Sequence, residues 1–154
     1  MRVLLVQCYL TDKPWGHMML QSFVDNIQRT RPSAQVDVCE IEAGETPPDP
    51  SSYDLVIMSG GTFNLVDDPP VPWVESALEY VRTIAKMEAG PKLLGLCWGH
   101  QATQMALGGK LKSLGGAQVG VEKLALSPEG KTFFSGQNGL VSWQETRYPQ
   151  QDCN

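Results

Sequence analysis

The sequence predicts an α/β fold: a doubly wound, mostly parallel sheet with helices on both faces and a short β-rich C-terminal part. Three observations carry this expectation. Short, nearly continuous apolar runs alternate with segments whose apolar residues fall at helical spacing. The runs lack a polar face, as strands buried on both sides do. Beyond Gly109 this rhythm gives way to glycine-punctuated, strand-like pieces.

The elements follow in order. Residues 2–9, RVLLVQCY, form the first predicted strand, and TDKPWG is a turn-rich loop. From Met19, the positions of Leu20, Phe23, Val24 and Ile27 give a helix. Residues 35–41 alternate and carry Val36 and Val38, a second strand, followed by the loop AGETPPDPSS. Residues 53–59, YDLVIMS, form a third strand ending at Gly60-Gly61. Asp67 and Asp68 are expected to cap the next helix. Its apolar face is Val74, Ala77, Leu78, Val81 and Ile84, with Pro72 tolerated in its first turn. Residues 92–97, KLLGLC, form a fourth strand that runs straight into a helix containing Ala102, Met105 and Ala106. Residues 119–127, 132–134 and 140–143 read as short β segments. At 154 residues the chain is expected to be a single domain, 1–154.

Composition narrows the function classes. Hydrophobic residues make up 42% and charged residues 19%, which suits a globular chain. A net charge of −5 with no basic run argues against nucleic acid or an anionic membrane as partner. The longest uncharged stretch, 93–109, is interrupted by Gly99, His100, Gln101 and Gln104, too polar for a membrane span. The N-terminus has neither the apolar core nor the cleavage site of a signal peptide, so a cytoplasmic location is expected. Cys8, Cys39, Cys97 and Cys153 form no CxxC pair and have no close-spaced histidine. Reduced thiols and no metal site are the expectation. Gly130-Lys131-Thr132 imitates the end of a phosphate loop, but Ala125 stands where the leading glycine belongs.

The chemistry concentrates in Gly95-Leu96-Cys97-Trp98-Gly99-His100-Gln101. A cysteine between an apolar strand and a helix, with glycines two positions away on each side, has the pattern of a nucleophile elbow. There the sulfur stands at a helix N-terminus, where the dipole and free N–H groups favour an anion. A thiolate in such a place attacks carbonyl carbon. The plainer reading of a bare GxCxG is a small buried residue at a tight joint. Gly60-Gly61 bears on the choice, because in a parallel sheet the carboxyl ends of neighbouring strands share one crevice. A Gly-Gly loop there, together with the N–H of Trp98, makes an oxyanion hole for the cysteine's target. Gln101, one helical turn past Cys97, is suited to contact a polar substrate, although an isolated glutamine more often sits on a helix surface. Of the four tryptophans, Trp98 is the one expected in the pocket.

SGGTFNLVDDPPVPWV and LLGLCWGHQATQMALGGKL, in that order, resemble the triad-type class I glutamine amidotransferases over roughly residues 1 to 134. The layout is similar to the glutaminase domain of GMP synthase, and some free-standing relatives cleave γ-glutamyl peptides. The resemblance implies a flavodoxin-like sheet and a hydrolase that releases ammonia from glutamine, or cleaves a γ-glutamyl bond, through a cysteine thioester. It implies Cys97 as nucleophile, Gly61 and Trp98 as oxyanion-hole donors, and Gln101 with Gly60 as substrate contacts. No cofactor is implied. The implied partners are a small-molecule substrate, glutamine or a γ-glutamyl compound, and a separate synthase if ammonia is delivered to an acceptor.

One part of the family's pattern is missing. Its base is a histidine followed two residues later by glutamate, well downstream of the nucleophile. This sequence has two histidines, His17 and His100, and neither begins such a motif. The domain is therefore expected to be C-terminally incomplete, with an exposed sheet edge that favours a homodimer. The base deprotonates the thiol, protonates the leaving ammonia and activates water. In a serine protease, losing such members costs on the order of 10⁴ to 10⁶ in rate. The alternative is a pseudo-glutaminase acting as a binding or regulatory protein. A weaker third reading is a thiol-reactive protein whose elbow cysteine senses oxidants or handles aldehydes. His17 follows the first strand at the same sheet edge as Cys97 and is the spare base candidate. His100 is too near Cys97 on its helix, and nothing places Glu122 or Glu145.

Overall fold

The structure is a computed structural model that describes residues 1–66, 68–113, 122–123, 127–133 and 142–143. The chain divides into two compact units, Met1–Leu111 and Lys112–Asn154.

The first unit contains β1 (Arg2–Gln7), α1 (Gly16–Thr30), β2 (Gln35–Glu40), β3 (Leu55–Met58), α2 (Pro72–Ala85), β4 (Lys92–Gly95) and α3 (Trp98–Ala106). Single 3₁₀ turns lie at Ile41–Ala43 and Pro50–Ser52. The strands form one parallel sheet in the order β2-β1-β3-β4. The chain thus winds one way from β1 to β2 and the other way from β3 to β4. Right-handed crossovers running in opposite directions put their helices on opposite faces. Leu20, Phe23 and Ile27 of α1 pack on Val3, Leu5 and Ile57. Val74, Ala77, Leu78 and Val81 of α2 join Leu4, Val6, Val56 and Met58 on the other face.

Position in the sheet explains the hydropathy patterns. β1 lies between two strands and two helical layers, and Val3, Leu4, Leu5 and Val6 are all fully buried. Every residue of its core must therefore be apolar. β2 borders the sheet on one side and is mostly open: the expected alternation is not seen, since Asp37 and Val38 are both exposed and only Cys39 is buried. In α2 the buried residues Val74, Ala77, Leu78, Val81 and Ile84 form one stripe, and Pro72 starts the helix where a missing N–H costs nothing.

Two helix starts differ from expectation. α1 begins at Gly16 rather than Met19, because the preceding loop folds back on it. A Cβ at Gly16 would stand 2.7 Å from the Thr11 carbonyl oxygen. Asp68 does not cap α2; Val71 is the capping residue and no side chain bonds there. Asp67 lies outside the described residues.

The second unit contains β5 (Glu122–Lys123), paired antiparallel with β6 (Ser142–Trp143), and α4 (Pro128–Phe133). Expected strands at 119–127 and 140–143 thus correspond to two-residue strands, their remaining residues mostly outside the described ones. The expected strand at 132–134 is corrected: Thr132 and Phe133 belong to α4. Pro128 presets the helical φ, and the Ser127 hydroxyl accepts a hydrogen bond from the Gly130 N–H at 3.1 Å. Those start signals override the β propensity of Thr and Phe.

Candidate active site

Strand β4 ends at Gly95 and α3 begins at Trp98, leaving Leu96 and Cys97 to make the turn. Cys97 caps α3 with φ 52° and ψ −109°, the one non-glycine residue at positive φ among the described residues. Holding a residue with a side chain there costs roughly 1–3 kcal/mol. The surroundings enforce it. The Leu96 N–H donates to the Met58 carbonyl at 2.9 Å, and the Gly99 N–H donates to the Ser59 carbonyl at 3.0 Å. Both bonds tie the turn to the end of β3. The Cys97 carbonyl accepts from the His100 and Gln101 N–H groups, each at 3.1 Å, and so opens the helix.

The two flanking glycines are required by closeness. A Cβ at Gly95 would lie 2.5 Å from the Gly99 carbonyl oxygen. One at Gly99 would meet the Met58 carbonyl oxygen and stand 2.7 Å from Met58 Cβ. The tight turn pushes the Cys97 side chain outward, so Cys97 is exposed while Cys8 and Cys39 are buried. The plainer expectation for GxCxG, a buried joint residue, is not what the structure contains.

Gly60-Gly61 follows β3 directly and stands beside the turn. A Cβ at Gly60 would be 3.5 Å from Cys97 Cβ and 3.9 Å from Cys97 Sγ. Gly61 is wedged between the Cys8 carbonyl and the Trp98 ring, where a Cβ would lie 3.2 Å from Trp98 Cγ. Ser59 pins this loop to β1: its Oγ accepts from the Cys8 N–H at 2.9 Å and donates to the Gly60 carbonyl at 2.8 Å. Ser59 is fully buried. Its role was readable only as a polar residue closing an otherwise apolar strand.

Cys97, Gly60, Gly61 and Trp98 are thus brought together. Gln101 shares the first turns of α3 and is half-buried. The Trp98 backbone is at the turn, and its ring is buried at 2% exposure. It packs on Trp73 with ring centroids 5.0 Å apart and the planes tilted by 37°, and Trp73 and Phe63 form a T-shaped pair at 5.6 Å. Trp73, not singled out by pattern, is where α2 touches this assembly.

His17 lies in the first turn of α1, at the carboxyl edge of the sheet, and is exposed. β1 and β4 are separated by β3, so His17 starts from a strand about 10 Å from that of Cys97. His100 is exposed in the first turn of α3. Glu122 is in β5 of the second unit, and Glu145 lies outside the described residues. A cavity of about 430 Å³ opens between the 3₁₀ turn after β2 and α2, lined by Ile41, Glu45, Pro47, Trp73 and Tyr80. Cys97 does not line it. Among the described residues no group of three His, Cys, Asp or Glu side chains is placed to hold a metal ion. No helix among them is long and apolar enough to cross a membrane.

The glutamine amidotransferase class-I family model matches residues 18–151. The chain belongs to the class-I glutamine amidotransferase family. It is 40% identical over 134 residues to the glutamine amidotransferase-like protein chry6 of Gibberella zeae, covering 86% of this chain and 56% of that protein. It is 36% identical over 104 residues to the glutamine amidotransferase-like protein chyE of Penicillium rubens, covering 67% and 43%. The crystal structure of a glutamine amidotransferase from Thermotoga maritima superposes with a TM-score of 0.59 at 25% identity, over 80% of this chain and 52% of that one. The chain spans about half the length of the curated relatives it matches. The fold expected from the sequence, a parallel α/β sheet of the class-I amidotransferase type, is the one observed.

Proposed function

We propose that this chain carries out the acylation half of a glutaminase reaction on glutamine or a related γ-glutamyl compound. Cys97 Sγ attacks the side-chain amide carbon, and the carbonyl π pair moves onto oxygen. When that pair returns, the C–N bond breaks, the amide nitrogen takes the thiol proton and leaves as ammonia, and a γ-glutamyl thioester remains on Cys97. The backbone N–H groups of Gly61 and Trp98 stabilise the intermediate's oxygen, aided by the N-terminal dipole of α3. Gln101 and the bare backbone of Gly60 hold the substrate against the sulfur. The observation that carries this reading is the exposed Cys97 held at positive φ between β4 and α3. The fungal relatives, both described as glutamine amidotransferase-like, support it.

Hydrolysis of the thioester needs a base. A second reading is a binding or regulatory protein that keeps the site without turnover. If ammonia is passed on, a separate synthase consumes it. A homodimer would cover Leu94 and Leu96, both exposed on one side of the β4 edge.

Rapid mixing of the chain with glutamine, acid quench and intact-mass measurement tests the proposal. The expected result is one γ-glutamyl group and one equivalent of ammonia per chain, both absent in Cys97→Ala. Ammonia release unchanged in Cys97→Ala sinks the reading. Glutamine binding with no ammonia from the natural sequence transfers support to the second.

A further inference from the structure

We infer that Trp73 is a positioning residue for the oxyanion hole, acting through Trp98. The inference rests on the acylation reading above and deepens it. Three contacts and one stretch of chain close into a ring. Gly61 and Phe63 belong to the same loop after β3. Phe63 and Trp73 form a T-shaped pair at 5.6 Å between centroids, Trp73 packs on Trp98 at 5.0 Å with the planes tilted by 37°, and the Trp98 ring lies against Gly61. The two backbone groups assigned to the developing oxyanion therefore belong to segments that meet at the Trp98 ring, and Trp73, carried by a third element, braces both segments. Trp73 is half-buried at the second position of α2 and is not covalently close to either segment.

The far side of Gly61 is fixed as well. It rests on the Cys8 carbonyl, and Ser59 ties β1 to the Gly60 carbonyl. The loop is thus held between a rigid strand and the Trp98 ring, and Trp98 is held from outside by Trp73. Removing the Trp73 ring leaves Trp98 free to tilt outward. The Gly61 backbone, on which the Trp98 ring bears, then loses its fixed distance from the Trp98 N–H, while Cys97 and the Trp98 N–H keep their ties to Met58 and Ser59 through Leu96 and Gly99. Two probes separate these effects. Iodoacetamide alkylates the sulfur by displacing iodide and creates no oxyanion. Glutarate semialdehyde, which lacks the α-amine that closes glutamate γ-semialdehyde into a cyclic imine, adds across its carbonyl: Sγ bonds to carbon, the π pair goes to oxygen, and the thiol proton ends on that oxygen. The resulting thiohemiacetal needs the hole.

The test measures both reactions at Cys97 in the natural sequence, Trp73→Leu and Trp73→Phe, with peptide mapping to assign the site. Trp73→Leu is expected to weaken the semialdehyde adduct about tenfold or more, against the 10²–10³ that loss of a whole donor costs. Its iodoacetamide rate is expected to stay within about twofold, and Trp73→Phe to restore much of the adduct. This split also guards against a variant that folds poorly, since loosening of the whole turn would change both reactions together. Equal semialdehyde affinity in all three proteins, or parallel loss of both reactions, overturns the positioning role. If the natural sequence itself forms no adduct at Cys97 while iodoacetamide still labels it, the acylation reading fails, and the positioning role with it.

Discussion

At Cys97 the exposed sulfur and the positive φ are one fact seen twice: a turn this tight leaves the side chain no room inside. Gly60 sets how closely anything approaches that sulfur. A methyl group there would sit at ordinary contact distance, 3.5 Å from Cys97 Cβ and 3.9 Å from Sγ. Gly60→Ala is therefore expected to fold, with stability unchanged or raised by up to about 1 kcal/mol. The methyl would occupy the space next to Sγ that the substrate needs. Acylation of Cys97 by an electrophilic glutamine analogue should slow roughly tenfold or more, since small misplacements at a reacting centre cost up to about 10². Chemical denaturation and adduct kinetics, run together, check both halves; full reactivity in Gly60→Ala would show that the substrate does not pass over this loop.

At the scale of elements, the joint between β4 and α3 depends on Gly99 more than on any side chain. Alanine is favoured over glycine inside a helix by about 1 kcal/mol. Here its Cβ would meet the Met58 carbonyl and stand 2.7 Å from Met58 Cβ. Overpacking of that kind costs about 1–3 kcal/mol or more, and backbone on the far side cannot swing away as a side chain would. The clash wins: Gly99→Ala is expected to lower the denaturation midpoint, whereas Gly60→Ala is not. This joint was legible in the sequence because glycine spacing reports backbone closeness directly, and so were the strand–helix order and the apolar faces of α1 and α2. Other features were hidden for physical reasons. Gly16 starts α1 against a loop carbonyl, a tertiary contact that apolar periodicity does not encode. Thr132 and Phe133 have strand propensity, yet the Ser127-Pro128 start signal makes them helical. The place of Trp73 between Phe63 and Trp98 is a tertiary contact that sequence spacing does not encode.

For the molecule as a whole, buried thiols set an alkaline limit on stability. Burial pushes the Cys8 thiol from 9.0 up to about 12, and burial pushes Cys39 up to about 11. Both groups hold their protons more tightly folded than unfolded. Their contribution is complete below pH 9, where both states are protonated. It declines as pH rises from there toward the folded values, because the unfolded chain ionises first. Cys8 alone predicts a loss of about 1.4 kcal/mol per pH unit in that window. Urea unfolding at pH 8 and pH 10 measures it, and Cys8→Ala should shrink the difference while leaving the Cys39 share. An identical decline in Cys8→Ala would assign the alkaline loss to other groups. Cys97 is exposed where Cys8 and Cys39 are buried, and that contrast makes the first unit a frame around one accessible thiol.

The most direct measurement is the intact mass of the chain after brief incubation with an electrophilic glutamine analogue, beside Cys97→Ala. A single adduct, lost in the variant and suppressed by free glutamine, is the predicted result: the nucleophile and its pocket are built. No adduct, or equal labelling of the other cysteines, would contradict it and leave the chain with the family's fold but not its chemistry.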